Sequence, residues 1–201
     1  MAGLLPLFPL HTVLFPGGVL PLHIFEERYR LLVQEGTDFG VVMIREGREV
    51  EALGAGETFL NEVGTIAHVE RVESLPDGRY NLLVRGIERF RVGAFDGSRP
   101  YLQAGYTTLP GVAPCGPRLA PLLQDYLAAH GVEVLLQHSE EFASRGTWLA
   151  GSLLQVEPGK LQRLLESGDP TYAERLLADE IGRLRTIGRM GTVQPRGISP
   201  N

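Results

Sequence analysis

Four prolines, Pro6, Pro9, Pro16 and Pro21, interrupt the apolar opening PLFPLHTVLFPGGVLPLHIFEERYR (residues 6–30). A membrane span needs about 20 uninterrupted apolar residues, and a helix interior tolerates no such spacing of prolines. The first basic residue is Arg28, which follows the apolar run. A secretion signal places its positive charge before that run. Strands and turns remain. Leu4 to Phe8 reads as a short strand, with Pro6 and Pro9 admissible only at an edge or an end. Phe15-Pro-Gly-Gly18 has the chemistry of a turn, and Val19 to His23 is a second strand. Phe25 to Gln34 reads as a helix, because Phe25, Tyr29, Leu32 and Val33 recur at helical spacing and Gly36 can cap it.

The strand rhythm continues to about residue 110. Phe39 to Ile44 is a continuous apolar strand. Gly64 to Leu75 alternates without a clean apolar side, as a long twisted strand does when its surroundings change along its length. Pro76-Asp-Gly78 predicts a hairpin turn with Gly78 left-handed, followed by strands at Tyr80–Val84, Phe90–Phe95 and Tyr101–Leu109. Short strands at near-regular spacing predict a closed or strongly curved sheet. The Pro/Gly-rich stretch 111–117 then reads as a linker. Beyond it the period is helical: Leu119, Leu122, Leu123, Tyr126 and Leu127 share a stripe, and a second helix spans about Glu140 to Gln155. A third opens at Pro158 and stops at Ser167-Gly168. A fourth has Asp169 as N-cap and Pro170 at its first position, and frays near Gly188. Arg175–Asp179 and Asp179–Arg183 are spaced as ion pairs on it. The expected layout is α+β: a β-rich unit over 1–110, a linker at 111–117, a helical bundle over 118–188 and a disordered tail at 189–201.

Chemistry is scarce in this chain. Its net charge of −5 disfavours the many phosphate contacts of a nucleic-acid binder and adhesion to anionic membranes. Cys115 is the only cysteine, so no intrachain disulfide exists and the cytoplasm is the expected compartment. Lys160 is the only lysine; Leu161 follows it and Leu154 stands where a phosphate-binding loop needs its first glycine. At the start of a surface helix, Lys160 lacks the burial that would make it a base for a serine nucleophile. The histidines His11, His23, His68, His130 and His138 never recur four apart, so no local metal pair forms. No catalytic residue, metal or cofactor is expected. Phe25-Glu-Glu-Arg-Tyr-Arg30 is the most unusual polar cluster, open to two readings: a binding hot spot, or a helix whose Arg28 or Glu26 ties the sheet together.

Taken in order, several segments resemble a known family. They are Leu5-Pro-Leu-Phe-Pro-Leu10, Phe15 to Glu26 with Arg28-Tyr-Arg30, Phe39 to Ile44, Gly64-Thr-Ile-Ala67, Gly78 to Gly86, Arg89-Phe-Arg-Val92, Trp148 to Leu154 and Leu161 to Glu166. Over about residues 4 to 185 the chain resembles the N-terminal, substrate-binding domain of the ATP-dependent Lon protease, as a stand-alone bacterial protein. The resemblance implies a PUA-like β-barrel followed by a helical bundle. It also implies recognition of polypeptide without cleavage, since the ATPase and Ser–Lys protease domains of full-length Lon are separate; a peptidase label would be inherited from the parent. Glu157 stands where the family often has a capping Ser or Thr.

The expected function is therefore a non-catalytic protein- or peptide-binding module. Docking would use apolar side-chain anchors or strand addition at an open sheet edge, in a groove between barrel and bundle. Phe15, His23, Phe25, Tyr29, Tyr126 and Trp148 are the candidate aromatic walls of that groove. A small-ligand-binding protein and an RNA-binding PUA-like protein are the alternatives. Burial of all six aromatic candidates would remove the groove.

Overall fold

The computed structural model describes residues 3–45, 60–111, 115–132 and 140–190, with backbone alone at 140–143, 185 and 187–190. Residues 191–201 of the tail expected at 189–201, residues 112–114 of the linker expected at 111–117, and His138 lie outside the described residues. Arg189 and Met190, expected in the tail, instead continue the last helix.

Strand β1 (Leu4–Leu10) divides between two partners. Leu4 to Pro6 pair antiparallel with β6 (Gln103–Thr108), and Leu7 to Leu10 pair parallel with β3 (Phe39–Met43). Strands β4 (Val63–Ser74) and β5 (Tyr80–Asp96) complete a ring of pairings, β5–β4–β3–β1–β6–β5. Strand β2 (Val19–Ile24) adds to the first half of β5 outside that ring. Register shifts let the ladder turn. Ile87 and Glu88 of β5 oppose the single residue Ile66 of β4, and Gly93 and Ala94 oppose Gly105 of β6. Bulges of this kind bend and twist the strand that carries them.

Two expected strands, 80–84 and 90–95, are thus one continuous strand. Gly86 lies between them without turning, because the Phe15 carbonyl crosses its backbone: a Cβ there would stand 2.3 Å from Phe15 O. The strand expected at 101–109 is shorter; Tyr101 is buried before it begins, its hydroxyl bonded to Glu35. The mixed alternation of β4 also has a structural cause. Val63 to Ala67 are buried in the ring, whereas Glu70 to Ser74 are exposed on a hairpin that turns at Gly78 (φ +79°).

Helix α1 (Glu27–Glu35) starts two residues later than its spacing predicted. Strand β2 runs to Ile24, and Glu26 remains extended as N-cap (φ −70°, ψ 135°). Phe25 therefore lies ahead of the helix. A residue there is commonly held by an apolar partner at the fourth helical position, but Arg30 stands at that place. Tyr29 and Leu32 are buried as expected, and Gly36 caps the helix in a left-handed conformation.

Helices α2 (Leu119–Ala129), α3 (Glu140–Leu153), α4 (Pro158–Ser167) and α5 (Pro170–Met190) follow. Asp169 caps α5, its carboxylate accepting from Thr171 N at 2.9 Å. In place of the two expected pairs through Asp179, Arg183 bonds Glu180 and Arg175 lies over the Tyr172 ring. Glu157 precedes α4 and makes no side-chain capping bond. Glu157→Ser should therefore raise the unfolding free energy in urea by about 0.5–1 kcal/mol by supplying one.

Among the described residues the sheet and the helices share one buried cluster. Phe15 and Val63, from the sheet-forming part of the chain, belong to the same buried cluster as Leu119, Leu123, Trp148, Leu164 and Leu177. A second cluster joins α1 to Phe8, Phe39 and Leu82, and a third fills the ring around Leu7, Val42 and Phe90.

Candidate functional site

The six aromatic candidates separate cleanly. Phe15, Tyr29, Tyr126 and Trp148 are buried, so none of them can be an exposed wall. Each has a structural task. The Phe15 ring stacks on Trp148 at 5.9 Å and rests against Gly151, where a Cβ would meet it at 2.6 Å. Tyr126 places its hydroxyl at the end of α3, accepting from Gln155 N at 2.9 Å. Tyr29 packs on Phe8 with centroids 4.2 Å apart. Burial pushes its hydroxyl up to about 12, against the lowering influence of Arg28. These four candidates therefore pack into the core instead of lining an open groove.

Two side chains that sequence reasoning left unassigned lock that seam. Arg89 of β5 is buried and donates to Leu165 O at 2.8 Å, Glu166 O at 3.3 Å and Pro110 O at 2.8 Å, while lying 5.0 Å over Trp148. Leu165 and Glu166 end α4, where the helix dipole favours a cation. Burial lowers the Arg89 pKa from its usual value. Gln162 donates across the same seam to Val63 O at 3.0 Å. Arg89 lay within a quoted motif, but nothing in its neighbours signalled that it points into the seam.

His23 and Phe25 remain outside the core. Phe25 is 62% exposed, the most open large apolar side chain described, and His23 stacks on it at 6.3 Å. A polar chain holds His23. Arg79 can only donate, so its contact at 3.3 Å makes His23 Nε2 an acceptor; Nδ1 then carries the proton and donates to Asn81 Oδ1 at 2.8 Å. Asn81 in turn donates to Glu73 at 3.0 Å. Beside this pair opens a cleft of about 320 Å³, between the end of β1 (Phe8 to Leu10, then His11) and β2 (Pro21 to Ile24), floored by Ile44 and Tyr29. Arg28 borders the cleft but bonds Glu26 within its own segment at 2.6 Å, and so does not tie the sheet together. The arrangement offers an apolar recess with a projecting phenyl ring and neutralised charges at its rim.

Among the described residues no group of three His, Cys, Asp or Glu side chains could hold a metal ion, and no helix is long and apolar enough to cross a membrane. Cys115 is half-buried, and burial raises its thiol pKa. A smaller thiolate fraction should make its alkylation by iodoacetamide at pH 8 slower than that of the same residue in urea.

The described residues form a curved mixed sheet with a recessed apolar cleft and a packed helical cap. Residues 4–179 match the profile of the ATP-dependent protease La (LON) substrate-binding domain, and the chain belongs to that family. It is 33% identical over 207 residues to the Lon protease of Desulfovibrio desulfuricans, covering 96% of this chain and 23% of that protein. It is 35% identical over 104 residues to the Lon protease of Anaeromyxobacter dehalogenans, covering 51% of this chain and 12% of that one. The chain thus spans a quarter or less of the length of these relatives. Among solved structures, the Lon N-terminal domain protein from Xanthomonas campestris superposes with a TM-score of 0.63 at 28% identity, covering 88% of this chain and 98% of that one. The N-terminal domain of the Mycobacterium avium complex Lon protease, at 20% identity and a TM-score of 0.60, shares the fold.

Proposed function

We propose that this chain is a non-catalytic module that binds polypeptide segments at the cleft beside Phe25, and that it works in the cytoplasm. The observation that carries the reading is Phe25 itself: a phenyl ring 62% exposed at the mouth of an apolar recess, in a chain of the Lon substrate-binding family. A ring left in water contributes little to folding and gains its burial energy when a partner covers it, and large aromatic side chains dominate binding surfaces. The binding residues proposed are Phe25 and His23, with Phe8, Leu10 and Leu22 as the recess behind them.

The test is anisotropy of a labelled, permanently unfolded polypeptide titrated with the protein at two salt concentrations. The expected result is saturable binding near 1 μM, about −8 kcal/mol, insensitive to salt. Phe25→Ala should weaken it tenfold or more, about 1.4 kcal/mol or above. Its thermal midpoint should stay unchanged, since the ring contributes little to the core. Binding that fades steeply with salt would point instead to charge-driven contacts.

A further inference from the structure

We infer that the chain carries a second binding site, on one face of α1, and that it takes a small zwitterion: a peptide of two or three residues with both termini free. This goes beyond the polypeptide reading and uses different residues. A hollow of about 730 Å³ opens there, lined by Glu27, Arg30, Leu31, Gln34 and Pro100 together with the Glu26–Arg28 ion pair. It shares that ion pair with the Phe25 cleft and no other lining residue. Small-molecule sites occupy about 300–1,000 Å³. Glu27, Arg30, Leu31 and Gln34 recur at helical spacing and so line one face of α1. Pro100 is the one lining residue from a distant part of the chain, and its two neighbours fix it. Arg99 donates to Glu35 at 3.0 Å, and the Tyr101 hydroxyl bonds the same carboxylate. The hollow is therefore built before any ligand arrives.

Two charges in this hollow are unmatched. Arg28 is bonded to Glu26 at 2.6 Å. Arg30, by contrast, forms no hydrogen bond or ion pair among the described residues, and its Nε is buried without a partner. Its Nη2 lies against the hairpin turn, where a Cβ on Gly78 would stand 2.9 Å away. Glu27 is three residues before it, a spacing at which opposite charges commonly pair, yet no such pair forms. Glu27 is exposed and also lacks a partner among the described residues. The helix dipole favours an acid in the first turn and accounts for Glu27. It does not account for a partly desolvated guanidinium left bare, which carries a penalty unless an acceptor meets it. Arg30 offers paired N–H donors that match a carboxylate, and Glu27 offers a carboxylate to an ammonium. Gln34 donates to the Tyr80 hydroxyl at 3.3 Å, which leaves its amide oxygen to accept from a ligand. With Glu26 and Arg28 cancelling, a net anion meets repulsion from Glu27 and a net cation meets it from Arg30. One molecule carrying both charges answers both residues, its body lying over Leu31 and Pro100. The two side chains stay apart, so the ligand's charges must be separated too, as in a short peptide rather than a free amino acid.

The experiment titrates isotope-labelled protein with dileucine, N-acetyl-dileucine, dileucine amide and free leucine, following the backbone amides and the Arg30 Nε–H by NMR. Dileucine should bind with a dissociation constant of about 0.1–1 mM and shift Glu27, Arg30, Leu31 and Gln34. Blocking either terminus, or shortening the ligand to leucine, should weaken binding about tenfold. Glu27→Gln should remove the preference for a free amino terminus, and Arg30→Gln the preference for a free carboxylate, each leaving the other in place. Glu27 is exposed, so its variant folds whether or not the Arg30 variant does. Phe25→Ala should leave dileucine binding unchanged. If it abolishes that binding, the dipeptide sits in the Phe25 cleft, and the inference fails while the polypeptide reading stands. N-acetyl-dileucine binding as tightly as dileucine would mean an anion site only and overturns the inference, as does leucine binding as tightly. The absence of shifts at those four residues at about 10 mM dileucine overturns it as well.

Discussion

Phe15→Ala should lower the unfolding free energy by about 3–5 kcal/mol, the range for removing a fully buried aromatic ring. Phe15 is 1% exposed and, with Val63, is one of the two fully buried residues described through which the sheet-forming part of the chain enters the helical core cluster. Its ring lies between Trp148 and the backbone of Gly151, where the absence of a Cβ lets the helix close upon it. The loss has two parts, the transfer of the ring and the void left against a rigid helix. Trp148 is the only tryptophan, so its fluorescence in a urea titration reports on the seam directly. Phe25→Ala is the matched control, with a change within about 0.5 kcal/mol expected for an exposed site.

Arg89→Met should cost about 3 kcal/mol or more, measured in the same way. Three carbonyls, Leu165 O, Glu166 O and Pro110 O, depend on its guanidinium. A hydrogen bond to a charged group contributes about 1.5–3 kcal/mol, and a buried acceptor left bare carries its own penalty of about 1–3 kcal/mol. Methionine preserves the volume over Trp148 and removes every donor, so packing and polar losses are separated. Arg89→Lys keeps the charge but not the planar fork that reaches carbonyls in different directions, and should recover only about half the deficit. A variant as stable as wild type would mean that these carbonyls find water, and that the seam is held by Phe15, Val63 and the Gln162 bond without Arg89.

Local chemistry made much of this fold legible in the sequence. Gly36, Gly78 and Gly168 end elements where left-handed backbone is needed, and all three adopt positive φ. Asp169-Pro170 opened the last helix because capping and a fixed φ act within one turn. Long-range approach was invisible. The Pro/Gly texture around Phe15 read as a surface turn, yet the ring beside it is core, because α3 closes over it from more than a hundred residues away. Gly86 fell in the gap between two expected strands and is a crossing point for the Phe15 carbonyl. Among the aromatic candidates, Tyr29 and Phe25 shared one apparent helical face, and only the cap at Glu26 placed them on opposite sides of the boundary between core and solvent. Pro6 and Pro9 read as admissible only at an edge or an end, and Pro21 carried no such reading; which way each proline faces depends on register, which alternation alone does not fix.

The most direct test of a Phe25-centred polypeptide site is an amide and methyl NMR titration of the protein with an unlabelled unfolded polypeptide. The account predicts shifts concentrated at Phe8, Leu10, Leu22, His23 and Phe25, with the outward face of α3 and the α4–α5 turn unchanged. Shifts confined to the exposed Leu149 and Leu153 of α3, or scattered over the surface without saturation, would contradict it.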